Sequence, residues 1–226
     1  MKGYARLWLP LVWYGIGCFA MMVLEASLLY PVMFWNVFLA ALPLIFILKA
    51  RKSLLSGRKA AGWTLMVLWL LFLPNALYMP TDMIHITGLD FFNTVGEYGK
   101  KTVYVEDIFI WCRLITVAGG MILSMLMGLE SMRIAFRMTR KRFGGLTAAS
   151  GAVIVSWLCA LGVYIGRFLR FNSWDILRPV TLIRRVLESL DAFALYFCLF
   201  YGLFVIVVFL FYMLLADAAA YKGGEN

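Results

Sequence analysis

The sequence predicts an all-α, polytopic membrane protein: a bundle of six transmembrane helices with an amphipathic helix on its outer face. Three observations predict it. Hydrophobic residues make up 64% of the chain and charged ones only 15%, where a soluble domain is about half apolar and about a quarter charged. The apolar residues gather into six runs, each near the roughly 20 residues that a helix needs to cross a bilayer. Lysine and arginine with almost no acid fill alternate connections between those runs, while the other connections mix bases with acids, the pattern that marks cytoplasmic loops. Six spans in 226 residues leave no room for a soluble domain, so 1–226 reads as a single integral membrane domain.

The first span, 7–29, follows Lys2 and Arg6, and its apolar stretch is longer than that of a signal peptide. It is expected to stay as a span. The second, 31–48, is separated from it only by Tyr30 and Pro31, a tight hairpin with a proline at its turn. The third, 60–79, carries Pro74 and is expected to end or turn at Pro80. Residues 80–107, with Phe91, Phe92, Tyr98 and Tyr104 and with Gly88, Gly96 and Gly99 for turns, read as a structured cap on the membrane surface. The fourth and fifth spans, 108–129 and 147–169, carry Gly120, Ser124 and Gly128, and Gly162 and Gly166, each four apart. Small residues at that spacing let helix backbones approach closely in lipid. Before the sixth span, 192–216, Ile176, Val180, Ile183, Leu187 and Leu190 recur at steps of four and three, with Arg178, Arg184, Arg185 and Glu188 elsewhere. That is the pattern of a helix lying in the membrane interface.

A net charge of +9 would suit a nucleic-acid binder, but its distribution assigns it to topology instead. Lys49, Arg51, Lys52, Arg58 and Lys59 follow the second span with no acid among them, and Arg133, Arg137, Arg140, Lys141 and Arg142 follow the fourth beside Glu130. With six spans, both groups share a side with the two termini, which predicts a multi-pass cell-membrane protein with cytoplasmic ends. Membrane lipids are its expected partners, with anionic inner-leaflet lipid drawn to the basic side, and no nucleic acid is expected. Cys18, Cys112, Cys159 and Cys198 lie in or beside apolar runs without a CxxC pair and read as small hydrophobes.

Two spans end on the predicted outer surface in costly polar sequence, "FLPNALYMPTDMIHI" (72–86) and "GRFLRFNSWD" (166–175). Polar groups at membrane depth tend to mark sites. Asp82 and His85, the one histidine of the chain, are three apart and share a face if a helix restarts there. They are the candidate catalytic acid/base pair; the plain alternative is an interfacial histidine beside a helix-capping aspartate. One histidine among scattered carboxylates is a poor match to zinc, and neither metal nor cofactor is expected. Pro74 frees a carbonyl one turn earlier, which Asn75 can bond. Arg167 and Arg170 can clamp a phosphate or carboxylate, snorkel to headgroups, or pair with Asp82, Asp107 or Glu25. Asn172 and Asp175 have capping-box spacing and stand beside them. Asn75, Arg167, Arg170, Asn172 and Asp175 are therefore the candidate ligand-binding residues, for an anionic lipid or lipid-linked group. Glu25 and Arg113 are expected to join an ionic network on the same face.

No Walker, HExxH or GxSxG motif and no charged string along a span is present, so no reaction is assigned. A small transporter is one alternative, although the span centres hold no acids. A non-catalytic accessory subunit is the other.

Through the patterns PNAxYxxTDxxH (74–85) and GRFxRxNSWD (166–175), the chain resembles a bacterial and archaeal family of membrane proteins known as domain of unknown function 1361. The resemblance runs from the second span to the sixth. It implies a multi-pass membrane protein and suggests that the two outer-face segments belong together. It carries no established activity and so implies no catalytic residues.

Overall fold

The computed structural model describes residues 8–95, 101–170 and 179–222. In chain order these form α1 (Trp8–Glu25), α2 (Leu29–Leu55), α3 (Lys59–Tyr78), a 3-10 helix (Met79–Ile86), the strands β1 (Phe92–Val95) and β2 (Lys101–Tyr104), α4 (Ile108–Phe143), α5 (Gly145–Phe168), α6 (Pro179–Glu188) and α7 (Ala192–Lys222). The helices α1 to α5 and α7 are long and apolar enough to cross a membrane. The chain is an all-α multi-pass membrane protein, and α6 is the amphipathic helix expected before the last span.

Three boundaries differ from those expected, each for a local reason. The first turn is not at Tyr30 and Pro31 but earlier, at residues 26–28, where Ala26 takes a left-handed φ of 51° and the Ser27 hydroxyl accepts the Leu29 N–H at 3.3 Å. Pro31 lies in the first turn of α2, where its missing N–H would have had no partner within the helix. The basic stretches read as loops are largely helix: α2 continues through Lys49, Arg51 and Lys52, and α4 continues through Arg133 to Arg142. Arginine, lysine, methionine and alanine are all good helix formers, and nothing breaks the pattern before Gly144, whose φ is 92°. The 36 residues of α4 make a rod of about 54 Å, well beyond a hydrocarbon layer of about 30 Å.

The chain divides into two compact units, Met1–Phe38 with Met79–Ser124, and Leu39–Tyr78 with Met125–Asn226. In the first unit, Tyr30, Met33, Val37, Met79 and Val117 are fully buried. The Tyr14 hydroxyl donates to the Thr116 carbonyl at 3.1 Å, tying α1 to α4. The cap expected over residues 80–107 contains an antiparallel hairpin, with Phe92 opposite Tyr104 and Val95 opposite Lys101. Its base is fastened to α4, because the Trp111 indole donates to the Val105 carbonyl at 2.9 Å and packs edge-on against Phe91. The Asp107 carboxylate accepts the Phe109 N–H at 2.9 Å and so caps α4.

In the second unit α5 packs against both α3 and α7. Glycine permits the closest of these approaches: a Cβ on Gly162 would lie 2.6 Å from Pro74 Cγ, and one on Gly128 would lie 2.9 Å from Ala76 Cβ. Gly128 of α4 and Gly162 of α5, two of the positions in the small-residue spacing, therefore lie close against α3. The α4 and α7 helices are joined by a partly buried ionic cluster. Arg133 forks onto Glu130, with Nε donating to Oε2 at 2.6 Å and Nη2 to Oε1 at 2.7 Å, and the Tyr212 hydroxyl donates to Oε2 at 3.0 Å. Glu130 is 9% exposed; it is not the loop acid that the sequence suggested.

Candidate functional site

The segment that carries Asp82 begins with a backbone problem. Proline has no N–H, so Pro80 cannot donate to the Ala76 carbonyl in an α-helical pattern or to the Leu77 carbonyl in a 3-10 pattern. The helix changes accordingly: α3 ends at Tyr78 and the chain continues as a 3-10 turn from Met79. The Leu77 carbonyl accepts a hydrogen bond from the Tyr201 hydroxyl of α7 instead. Further back, Pro74 lies inside α3, and the Asn75 amide donates to the Phe72 carbonyl at 3.1 Å rather than to the Leu70 carbonyl that Pro74 leaves open.

With three residues per turn, a 3-10 helix brings side chains at i and i+3 directly into line. That places Asp82 Oδ1 3.8 Å from His85 Nε2, within ion-pair reach and longer than a hydrogen bond. The two environments differ sharply: Asp82 is 1% exposed, while the His85 side chain is 41% exposed. The other carboxylate oxygen, Oδ2, accepts the Asn36 amide of α2 at 3.0 Å. A helix-capping aspartate of the ordinary kind faces water, and Asp82 does not.

The same unit holds the ionic network expected of Glu25 and Arg113. Arg113 Nη2 donates to Glu25 Oε2 at 2.9 Å, and the buried Tyr30 hydroxyl donates to the same oxygen at 2.6 Å. Three elements, the end of α1, the start of α2 and the second turn of α4, are thereby joined through a single carboxylate.

The remaining candidates belong to the second unit. The Arg167 guanidinium lies 4.4 Å from the centre of the Tyr78 ring, a cation–π distance, so an aromatic face at the end of α3 holds it. Arg170 is exposed and sits just past the end of α5 with a left-handed φ of 55°, a conformation that glycine usually supplies after a helix. The Tyr164 hydroxyl donates to the Ser189 carbonyl at 3.0 Å, joining α5 to the residue after α6. Tyr164, Phe168, Phe193, Phe197 and Tyr201 form a continuous aromatic stack around it. Asn172 and Asp175 lie outside the described residues.

The structure thus brings Asp82 and His85 together in one unit and, in the other, seats Arg167 at the tip of α3. Sequence reasoning passed over Asn36, Tyr201 and Tyr212. Asn36 had a signal, since it is the lone amide within the apolar run "VMFWNVFLA" (32–40). The two tyrosines had none, because α7 is aromatic along most of its length. Among the described residues no three His, Cys, Asp or Glu side chains gather as they would around a metal ion. A protein family described as Protein of unknown function (DUF1361) matches residues 35–208. The matched stretch contains Asn36, Asp82, His85, Arg113 and Arg167 and begins after Glu25 and Tyr30. No curated protein and no solved structure matches the chain.

Proposed function

The chain belongs to the family described as Protein of unknown function (DUF1361), and on that premise we propose that it is a cell-membrane protein engaging an anionic lipid or lipid-linked ligand at its extracytoplasmic face, with both termini in the cytoplasm. Two roles, one in each unit, make up the proposal and are tested separately. Asp82 and His85 are an acid/base pair. Arg167 and Arg170, with Asn75, Asn172 and Asp175, are the contacts to an anionic group. The orientation rests on the basic residues at the ends of α2 and α4, which the positive-inside rule assigns to the cytoplasm.

The observation that carries the reading is the contrast between Asp82 and His85. Keeping a carboxylate away from water costs several kcal/mol unless donors answer it, and Asp82 is kept there with an imidazole beside it that reaches solvent. Such an imidazole stands between the buried carboxylate and solvent, where an acid/base group has to be. Arginine in turn suits the anionic group, since its planar fork matches phosphate and carboxylate oxygens.

The test uses the full chain in nanodiscs of neutral lipid, titrated with phosphatidylglycerol or a polyprenyl phosphate. Native mass spectrometry counts retained anionic lipid, and the same samples are searched for product. The double variant Arg167→Gln, Arg170→Gln is expected to lose retention. His85→Ala and Asp82→Asn are expected to keep retention and membrane abundance and to lose any turnover. Equal retention of neutral and anionic lipid by the unaltered chain would end the ligand reading, and a fall in abundance alongside turnover in His85→Ala would make the pair structural.

A further inference from the structure

We infer that Asn36 is a positioning residue for the Asp82–His85 pair: its amide fixes the plane of the carboxylate so that one oxygen stays turned toward the imidazole. The inference rests on the acid/base reading of that pair and adds a third member to it.

An amide within an apolar run is costly unless hydrogen-bonded, and Asn36 meets that cost across 46 residues of sequence by donating Nδ2 to Asp82 Oδ2 at 3.0 Å. The direction of the bond follows from chemistry, because an ionised carboxylate only accepts. With Oδ2 engaged, Oδ1 is the oxygen that faces His85 Nε2 at 3.8 Å. A carboxylate's terminal torsion is soft and roughly two-fold, so without an anchor on one oxygen the other has no fixed aim. The amide comes from α2 and the carboxylate and imidazole from the 3-10 helix, so the aim of the pair is set by how those two elements pack. The arrangement follows the general logic of a base oriented by a third group.

A merely structural Asn36 and a positioning one differ in what happens to the imidazole. His85 is the only histidine, so histidine-selective 15N labelling of the full chain in nanodiscs gives a single-site spectrum whose Nδ1 and Nε2 shifts report the tautomer. A carboxylate aimed at Nε2 holds the neutral ring in the form protonated there. The unaltered chain is expected to show that form almost alone, and Asp82→Asn to lower its ratio to the other tautomer several-fold. Asn36→Ala is expected to give a similar several-fold fall, and Asn36→Leu, which keeps the α2 surface apolar and filled, is expected to do the same. If both Asn36 variants keep the ratio of the unaltered chain while Asp82→Asn lowers it, the inference is overturned and the pair stands. If Asp82→Asn also leaves the ratio unchanged, the pair itself is overturned and the inference goes with it.

Discussion

Replacing Gly162 with alanine is the sharpest test of how the second unit is packed. The new methyl group would lie 2.6 Å from Pro74 Cγ and 2.8 Å from Pro74 Cβ, whereas carbon atoms rest about 3.5–4.0 Å apart. The overlap is about 1 Å, and it is against a ring within α3, which cannot swing aside as the tip of a flexible side chain would. Relief requires α3 and α5 to separate, and such overpacking costs about 1–3 kcal/mol. Alanine returns up to about 1 kcal/mol through its helix propensity, so the net loss is about 0–2 kcal/mol when that gain is full. Gly151 is the control: it is on the same helix, and an added Cβ there meets nothing within 4 Å. Gly151→Ala keeps the propensity gain without the clash and should hold or raise stability by up to about 1 kcal/mol. Tryptophan fluorescence during thermal unfolding in one detergent compares the two directly. A midpoint for Gly162→Ala equal to or above that of Gly151→Ala would refute the close approach of α5 to Pro74.

Further outcomes follow from the polar contacts. Glu130→Ala removes the acceptor that the partly buried Arg133 guanidinium and Tyr212 hydroxyl share and should cost about 1–3 kcal/mol in the same unfolding assay. Asp217→Ala removes a partner of Arg137 that is exposed on both sides, and should cost less than about 1 kcal/mol. Tyr201→Phe strips the donor from the Leu77 carbonyl and should cost about 1–3 kcal/mol; an unchanged midpoint would mean that another group serves that carbonyl. Arg170→Gly places the residue best suited to a left-handed φ at that position. The unfolding midpoint should hold or rise by up to about 1 kcal/mol, while retention of anionic lipid, read by native mass spectrometry, falls.

The six spans were legible because each is long and uniformly apolar, which few structures besides a membrane helix can accommodate. Their ends were not, because hydropathy marks where lipid stops and not where the helix stops. Arginine and lysine at the ends of α2 and α4 are polar enough to close a predicted span, yet they are good helix formers that extend it. The hairpin at β1 and β2 was read only as a structured cap, since four-residue strands are too short to show an alternating pattern. In the candidate site, the Asp82–His85 contact was legible because its geometry is local and needs only a turn of three residues. Asn36 answering Asp82, Arg113 answering Glu25 and Tyr78 beneath Arg167 depend on how helices pack. For Arg167 the sequence offered only acids and headgroups as partners, and the structure supplies an aromatic ring.

The bond from Tyr201 to the Leu77 carbonyl bears on how the protein is made. Translation delivers the third helix long before the seventh, and until the seventh arrives that oxygen lacks the hydroxyl that serves it, with a 3-10 donor already removed by Pro80. A nascent chain released early, or cut before residue 201, keeps an acceptor at the tip of its third helix without that hydroxyl. Arrival of α7 and completion of that corner are the same event, so a fragment lacking α7 should be marked for removal by the membrane's own intolerance of under-satisfied backbone.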